Sequence, residues 1–210
     1  MTEDEAKLWL QTSLNVSHET LTILERYVAL VLDEMTRQNL IAPSTAPQIW
    51  ARHVVDSAQL LLHCDQERDS GLWLDLGSGA GFPGLVVAIM TQRPVLMVES
   101  RTLRSDFLKR CVAELGLQER ASVAAMKLES VPQVTADVIS ARAFAPLPKL
   151  LTLAARFSDE QTRWVLPKGQ NAAIELEDAR HNWVARFQIR QSVTSDESGI
   201  LVGTLRGKRR

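Results

Sequence analysis

Leu72-Trp-Leu-Asp75-Leu-Gly77-Ser-Gly79-Ala-Gly81-Phe-Pro-Gly84 is the stretch that decides the fold of this chain. It indicates a short buried strand that leads into a glycine-rich turn, followed by a helix with Pro83 in its first turn. Glycines let the backbone turn sharply and let a ligand approach without a Cβ in the way. A strand, a glycine turn and a helix in this order indicate a ligand site at the end of the strand.

Downstream of this stretch, short apolar runs alternate with helix-like segments. Alternation of this kind is typical of βαβ units and predicts a largely parallel sheet. The last two strands have no helix between them, and the turn at 195–199 predicts an antiparallel hairpin. The predicted strands are 72–76, 95–99, 121–125, 136–140, 162–166, 187–193 and 200–205, and the predicted helices are 83–91, 102–116, 146–156 and 171–182.

The first 64 residues have helical periodicity and predict a cap on the sheet. Ser17 is the expected N-cap of one helix. A second helix is expected over about 46–63, with a capping box formed by Thr45 and Gln48 and with Pro47 in its first turn. We therefore expect a helical cap over 1–64 and a sheet domain over 65–210, packed as one compact unit.

Composition narrows the class of protein. The 210 residues carry a net charge of −1 and 23% charged residues, so a nucleic-acid partner would have to bind to local basic patches. Cys64 and Cys111 build no disulfide framework and lack the spacing of metal ligands, which predicts a reducing, cytoplasmic protein without a metal. The acidic start at 1–5 and the absence of long apolar runs predict neither a signal peptide nor a membrane span.

Two acidic residues near the glycine turn indicate the ligand. Glu99 ends the second strand, where its carboxylate can accept hydrogen bonds from both hydroxyls of a ribose. Asp75 precedes the glycines, where its charge would oppose a pyrophosphate but suits a ligand that carries a sulfonium and an ammonium. This favours S-adenosylmethionine, although Gly79-x-Gly81-x-x-Gly84 also matches the dinucleotide fingerprint and a glycine loop can simply make a tight turn.

Other residues are expected on the same edge of the sheet, because ligands of open α/β sheets lie beyond the carboxyl ends of the strands. Arg142 and Phe144 follow the fourth strand and Lys168 follows the fifth, so all three are candidates for positioning the reactants. Arg142 could instead pair with a nearby acid. Leu128-Glu129, after the third strand, could equally be a solvated turn.

Taken together, four stretches resemble the ribosomal small-subunit RNA methyltransferase G family, also called glucose-inhibited division protein B. They are Arg52-His53-x-x-Asp56-Ser57, the loop 75–84, Arg142-Ala-Phe-Ala145 and Lys168-Gly-Gln170. The sequence departs from the usual family pattern at Glu34-Met35, Ile41 and Ala141.

The resemblance implies a Rossmann-like class I S-adenosylmethionine-dependent methyltransferase with a doubly wound, mostly parallel α/β sheet. It implies methylation of N7 of a guanine in the 530 loop of 16S ribosomal RNA. It also implies that Gly77, Phe82, Leu128, Glu129 and Arg142 lie at the cofactor site. With the residues derived above, the expected cofactor contacts are Asp75, Gly77, Gly79, Gly81, Phe82, Glu99, Leu128, Glu129 and Arg142.

The sequence lacks the motifs of two other classes of nucleic-acid methyltransferase, and methylation of guanine N7 needs neither of them. The fourth strand is not followed by the Asn/Asp-Pro-Pro-aromatic motif of enzymes that methylate exocyclic amines, and neither cysteine lies near the edge where a nucleophile would be needed. Guanine N7 has an in-plane lone pair and no proton, so its methylation depends on alignment. No catalytic acid or base is therefore assigned.

RNA is expected to be held by local positive charge. The candidates are Arg52, His53, Arg101, Arg104, Lys168 and a basic tail of Arg206, Lys208, Arg209 and Arg210. Each could have a plainer role, as a solvated helix charge, a frayed terminus or, for His53, a capping or core histidine. A monomer acting on RNA in the small ribosomal subunit is expected. A small-molecule methyltransferase and a non-catalytic ribosome-assembly module remain as alternatives.

Overall fold

The computed structural model describes residues 1–64 and 70–209, and its centre is a seven-stranded sheet in the order β3-β2-β1-β4-β5-β7-β6. The first five strands pair in parallel, and β7 runs antiparallel to both β5 and β6. The doubly wound α/β fold with a terminal hairpin is thus confirmed. The strands are β1 (Trp73–Leu76), β2 (Val95–Val98), β3 (Ala121–Ala124), β4 (Val138–Ala141), β5 (Arg163–Lys168), β6 (Trp183–Gln191) and β7 (Gly199–Lys208).

Helices cover the two faces of this sheet. α4 (Gly84–Met90) and α5 (Thr102–Glu114) lie on one face, and α6 (Leu147–Ala154) and α7 (Ala172–Arg180) lie on the other. Their apolar side chains form two cores, one on each side of the parallel strands. Because these strands are covered on both faces, their side chains are mostly apolar. In the part of the chain that the structure describes, no helix has the length and apolarity that crossing a bilayer requires.

The N-terminal cap begins with two regular helices, α1 (Glu3–Leu14) and α2 (His18–Glu34). The Ser17 side chain accepts a hydrogen bond from the Thr20 amide, which confirms the predicted N-cap. Glu34, one of the departures from the family pattern, is buried at the end of α2. Its carboxylate lies 2.6 Å from Arg110 of α5, so this departure ties the cap to the sheet domain.

The prediction of one regular helix over 46–63 is wrong. The segment consists of short helical pieces of different pitch: a 3₁₀ helix (Pro43–Gln48), a π-helical turn (Trp50–Val55), α3 (Asp56–Ala58) and a second 3₁₀ helix (Gln59–His63). Pro47 lies inside the first 3₁₀ helix, where its missing N–H prevents a regular α-helical ladder. The predicted capping box is wrong as well, because the Thr45 hydroxyl donates to the carbonyl of Ala42, inside the turn.

The cap is fastened directly to the glycine loop. The Tyr27 hydroxyl of α2 donates a hydrogen bond of 2.8 Å to the carbonyl of Ala80, and a single core contains side chains of α2, α4 and α5. The division into a cap over 1–64 and a domain from 65 stays a prediction, since residues 65–69 lie outside the described part of the chain.

The predicted basic tail is a strand and not a frayed end. Arg206 and Lys208 belong to β7, and the Arg209 amide donates to the carbonyl of Asn182, while Arg210 lies outside the described residues. β7 extends to residue 208 because it is hydrogen-bonded to β6 along its whole length. The end of β7 lies opposite to the edge where β1 and β4 lead into the glycine loop and Arg142, so these cations are not next to that edge.

Candidate functional site

The glycine loop turns tightly against the end of β2. The amides of Gly77 and Ser78 both donate to the carbonyl of Val98, at 2.9 and 3.1 Å. Gly77 has φ +68°, and a Cβ there would lie 2.5 Å from the Phe144 ring. Gly77 therefore satisfies two demands at once, a left-handed backbone and the close approach of an aromatic ring.

Beside this loop lies a cavity of about 230 Å³, which we call the loop cavity. Glu99 lies in its wall and is 6% exposed. Its two carboxylate oxygens accept hydrogen bonds from the amides of Gly79 (3.0 Å) and Arg101 (2.8 Å). Because each carboxylate oxygen has more than one acceptor site, Glu99 can hold the loop and still accept from ribose hydroxyls. The cavity is lined by Gly77, Val98, Glu99, Ser100, Arg101, Arg104, Met126, Leu128, Ala143 and Phe144.

Asp75 lies beneath the loop and does not line the loop cavity. It is fully buried, and its carboxylate accepts from the Ser140 hydroxyl (2.7 Å) and from the amide of Gly84 (3.1 Å). Burial raises the pKa of this carboxyl group above its usual value. The structure thus corrects the expectation of a direct contact: Asp75 shapes the loop from below, between β4 and the first turn of α4.

The other residues expected at the cofactor site divide into two groups. Leu128 is buried in the wall of the loop cavity, whereas Glu129 is exposed on the next position of the turn. Phe82 is buried away from the cavity, with its ring 5.2 Å from that of Tyr27 and 5.1 Å from that of His53. Gly81 has φ +102°, and a Cβ there would lie 2.9 Å from the Tyr27 hydroxyl. Gly81 and Phe82 thus pack the glycine loop against residues of the cap.

A second, larger cavity of about 490 Å³ lies past the ends of β4 and β5, and we call it the rim cavity. Ala143 and Phe144 border both cavities, so the two cavities adjoin. Lys168 lines the rim cavity with its ammonium group 2.9 Å from the carbonyl of Ala145 and 2.7 Å from the carboxylate of Glu175. Arg52 is exposed at the same cavity.

Arg142 joins the rim cavity to the cap. Its guanidinium donates to the carbonyl of Arg52 (3.2 Å), lies 3.5 Å from Asp56 and lies 2.6 Å from Nδ1 of His53. It also lies over the Phe82 ring at 5.4 Å. The alternative that Arg142 pairs with an acid is therefore realised in part, while the side chain still lines the rim cavity.

His53 is buried at the centre of these contacts, in agreement with the core-histidine alternative. Its Nδ1 faces the Arg142 guanidinium, which can only donate, and its Nε2 lies 2.8 Å from the Thr45 hydroxyl. That hydroxyl donates to the carbonyl of Ala42, so it accepts from His53. The neutral tautomer with a proton on Nε2 satisfies every partner. Burial and the charge of Arg142 lower the pKa of His53 to about 3.

This environment predicts an acid-labile contribution to stability. The pKa of His53 is about 3 in the folded protein and 6.5 in a free side chain, so the unfolded state binds more protons between these values. Stability is thus fully present above pH 6.5 and is lost as the pH falls. We expect acidification from pH 6.5 to 5 to lower the unfolding free energy of the native protein by about 1.5 kcal/mol more than that of a His53→Gln variant. Parallel denaturation curves for the two proteins would contradict the prediction.

One connection, between the turn after β6 and the cap, was not predicted from sequence. The Thr194 hydroxyl, in the turn between β6 and β7, donates to Asp56 at 2.9 Å, and the amide of Val193 donates to Gln59 at 2.8 Å. Ser192 and Thr194 thereby become part of the rim cavity. Asp56 belongs to a stretch that resembles the family, but its partner lies 138 residues away, and no local pattern connects the two.

Two arginines expected to contact RNA, Arg101 and Arg104, lie at the loop cavity. Arg101 immediately precedes α5 and Arg104 lies in its first turn, and both line that cavity. The Arg104 guanidinium also donates to the carbonyl of Asn39, which joins α5 to the cap. From this position the two arginines could contact a bound cofactor, and contact with RNA stays a prediction.

Comparisons with known proteins agree with this architecture. Residues 20–200 match the family described as "GidB: rRNA small subunit methyltransferase G". Two relatives named "Ribosomal RNA small subunit methyltransferase G" come from Sphingopyxis alaskensis and Rhizorhabdus wittichii. The first is 54% identical over 202 residues, covering 96% of this chain and 86% of the relative. The second is 49% identical over 205 residues, covering 97% and 93%.

Solved structures resemble the fold at low sequence identity. A SAM-dependent methyltransferase from Aquifex aeolicus aligns with a TM-score of 0.60 and 16% identity, covering 76% of this chain and 93% of that chain. The crystal structure of a fibrillarin/Nop5p complex aligns with a TM-score of 0.58 and 13% identity, covering 74% and 82%. At such identities the likeness shows the fold alone. The match of residues 20–200 and the identities of the relatives show that the chain belongs to the rRNA small subunit methyltransferase G family.

Proposed function

We propose that this chain transfers a methyl group from S-adenosylmethionine to N7 of a guanine in the 530 loop of 16S ribosomal RNA. Membership of the family supports the reaction class, and the guanine position follows from the resemblance. The observation that carries the proposal is the pair of cavities that meet at Phe144. The loop cavity offers the Glu99 carboxylate to the ribose of an adenosine moiety, and the rim cavity offers Arg52, Arg142 and Lys168 to a nucleotide.

The residues of the chain would act by positioning. S-adenosylmethionine, when bound, supplies an electrophilic methyl group on a sulfonium. Glu99 would hold the ribose in the loop cavity, and Phe144 would present its ring to the base in the rim cavity. Methylation of N7 would require no proton removal, because this ring nitrogen carries a lone pair and no hydrogen. The enzyme therefore needs in-line alignment and tolerance of the positive charge that arrives on the purine.

Arg142 and Lys168 are the remaining positioning candidates. Each side chain lines the rim cavity and is held by carbonyl or carboxylate partners, at 3.2 Å from Arg52 and at 2.7 Å from Glu175. Held cations of this kind can contact a phosphate or the guanine O6 without reorganising. Use of the assembled small subunit as the substrate, a monomeric state and a cytoplasmic location stay predictions.

The test is a comparison of ribosomal RNA nucleosides by mass spectrometry, in cells with and without the gene. Loss of 7-methylguanosine from the 530 loop, and its return when the purified chain and S-adenosylmethionine are added to the unmodified small subunits, is the expected result. An unchanged nucleoside profile with methylation of metabolites would favour a small-molecule methyltransferase. An unchanged profile with tight subunit binding would favour a non-catalytic assembly module.

A further inference from the structure

At the antiparallel end of the sheet, one face is covered by the cap over β7, where Ile200 and Val202 are buried, and is exposed to solvent on β6. On the opposite face, Phe187, Leu201 and Leu205 are buried against α6 and α7. Strand alternation places Arg186 and Arg190 of β6 on the first of these two faces, beside Thr204 and Ile200 of β7. Both arginines are exposed.

Two more arginines extend this face, which we call the basic sheet face and define as Arg163, Arg186, Arg190 and Arg206. Trp164 pairs with Gly203, so the preceding residue, Arg163, lies beside Thr204 and across from Arg186. Arg206 is exposed near the end of β7, where a register shift follows Leu205. Four cations thus lie on three adjacent strands.

Within the described residues, these four cations lack ion-pair partners. Among residues 1–64 and 70–209, none of the four arginines has an acidic partner within ion-pair distance. Asp137 and Asp159 share a small cavity with Arg163 without pairing with it. After burial, the charges of Arg190 and Arg163 are the next causes that lower the pKa of the nearby His63. In a chain with a net charge of −1, these four arginines form a local positive patch.

The face also leads to the rim cavity. Arg190 is two residues from Ser192, which lines that cavity, and β6 then runs away from it. From Arg190 to Arg186 the strand advances about 13 Å, and Arg206 lies further on, so the row extends over about 20 Å. This length corresponds to several phosphates of one strand.

We infer that the basic sheet face binds the phosphate backbone of the RNA whose target base enters the rim cavity. Charge complementarity selects RNA: arginines in a row that form no ion pair within 1–64 and 70–209 can contact successive phosphates, and they offer nothing to an apolar partner. The inference rests on the proposed function for the identity of the RNA. It replaces the idea of a flexible basic tail, since Arg206 acts as part of a strand.

The test uses the full chain with the double substitution Arg186→Gln/Arg206→Gln. Both side chains are exposed, so the fold is retained. A matched control, Arg37→Gln/Arg180→Gln, removes two positive charges from exposed positions, in the turn after α2 and at the end of α7, that are already ion-paired. Binding to unmodified small ribosomal subunits is measured between 50 and 200 mM salt, with roughly 0.7 to 0.9 counterions released per phosphate contact.

The double variant is expected to lower the slope of log affinity against log salt by about 1.5, while the control changes it little. Affinity for S-adenosylhomocysteine should stay unchanged in both. An unaltered slope in the double variant, or an equal change in the control, would overturn the inference. If the native chain methylates no small subunits, the proposed function itself fails. The methylation assay measures that failure independently, because the salt slope depends on RNA binding alone.

Discussion

Replacement of Glu99 by alanine is expected to weaken the binding of S-adenosylmethionine and S-adenosylhomocysteine by about 100-fold. The carboxylate would accept charge-assisted hydrogen bonds from ribose hydroxyls, each worth about 1.5–3 kcal/mol, and every 1.4 kcal/mol is tenfold in affinity. It also fixes the amides of Gly79 and Arg101, so its loss loosens the loop cavity. Titration calorimetry with both ligands measures the effect.

Two further variants separate the causes. Glu99→Gln keeps one acceptor oxygen and should lose less affinity than Glu99→Ala, whereas Glu119→Ala removes an exposed carboxylate and should leave binding unchanged. Tight binding of NADH with no response to S-adenosylmethionine would show that the loop cavity holds a dinucleotide, and the proposed reaction would then be wrong.

Arg142→Ala is expected to lower the single-turnover methylation rate on small subunits by about 100-fold, because small displacements of reacting groups have costs of this size. A stability cost should accompany it. The guanidinium is the partner of the buried Nδ1 of His53, and an unsatisfied buried acceptor costs about 1–3 kcal/mol. Rates at saturating substrate and denaturant unfolding, measured on the same preparation, test both parts.

The matched control for Arg142 is Arg120→Ala. Arg120 also donates to a backbone carbonyl, that of Ala88, but it lies away from both cavities. It should lose stability and keep its methylation rate at temperatures where it is folded. Equal losses of stability and rate in the two variants would mean that Arg142 serves only the fold.

The sheet was predictable from sequence because its signals are local. Buried parallel strands are short apolar runs, and the glycine turn after Leu76 specifies its own backbone, so each strand was placed to within about four residues. The cap segment over 43–63 was not predictable in this way. Its apolar residues have helical spacing, but Pro43 and Pro47 and the contacts of His53 with Arg142 impose tighter and wider turns.

The site was predictable in type and less so in detail. Glu99 and Leu128 line the loop cavity, and Arg142, Phe144 and Lys168 line the rim cavity, because strand ends share one edge of the sheet. The orientation of each side chain could not be predicted from local sequence. Whether Asp75 faces a ligand or the floor of the loop depends on Ser140, 65 residues further along the chain.

The position of β7 has a consequence for the nascent chain. β7 is inserted between β5 and β6, and within the described residues β6 has no other strand to pair with. A ribosome that has translated as far as residue 198 has therefore produced a sheet whose β5 edge is unpaired and apolar, with Val165 and Leu166 fully buried in the finished protein. Exposed edges of this kind invite pairing between chains. Premature stop codons before Gly199 should thus yield aggregates rather than a shortened, partly active enzyme.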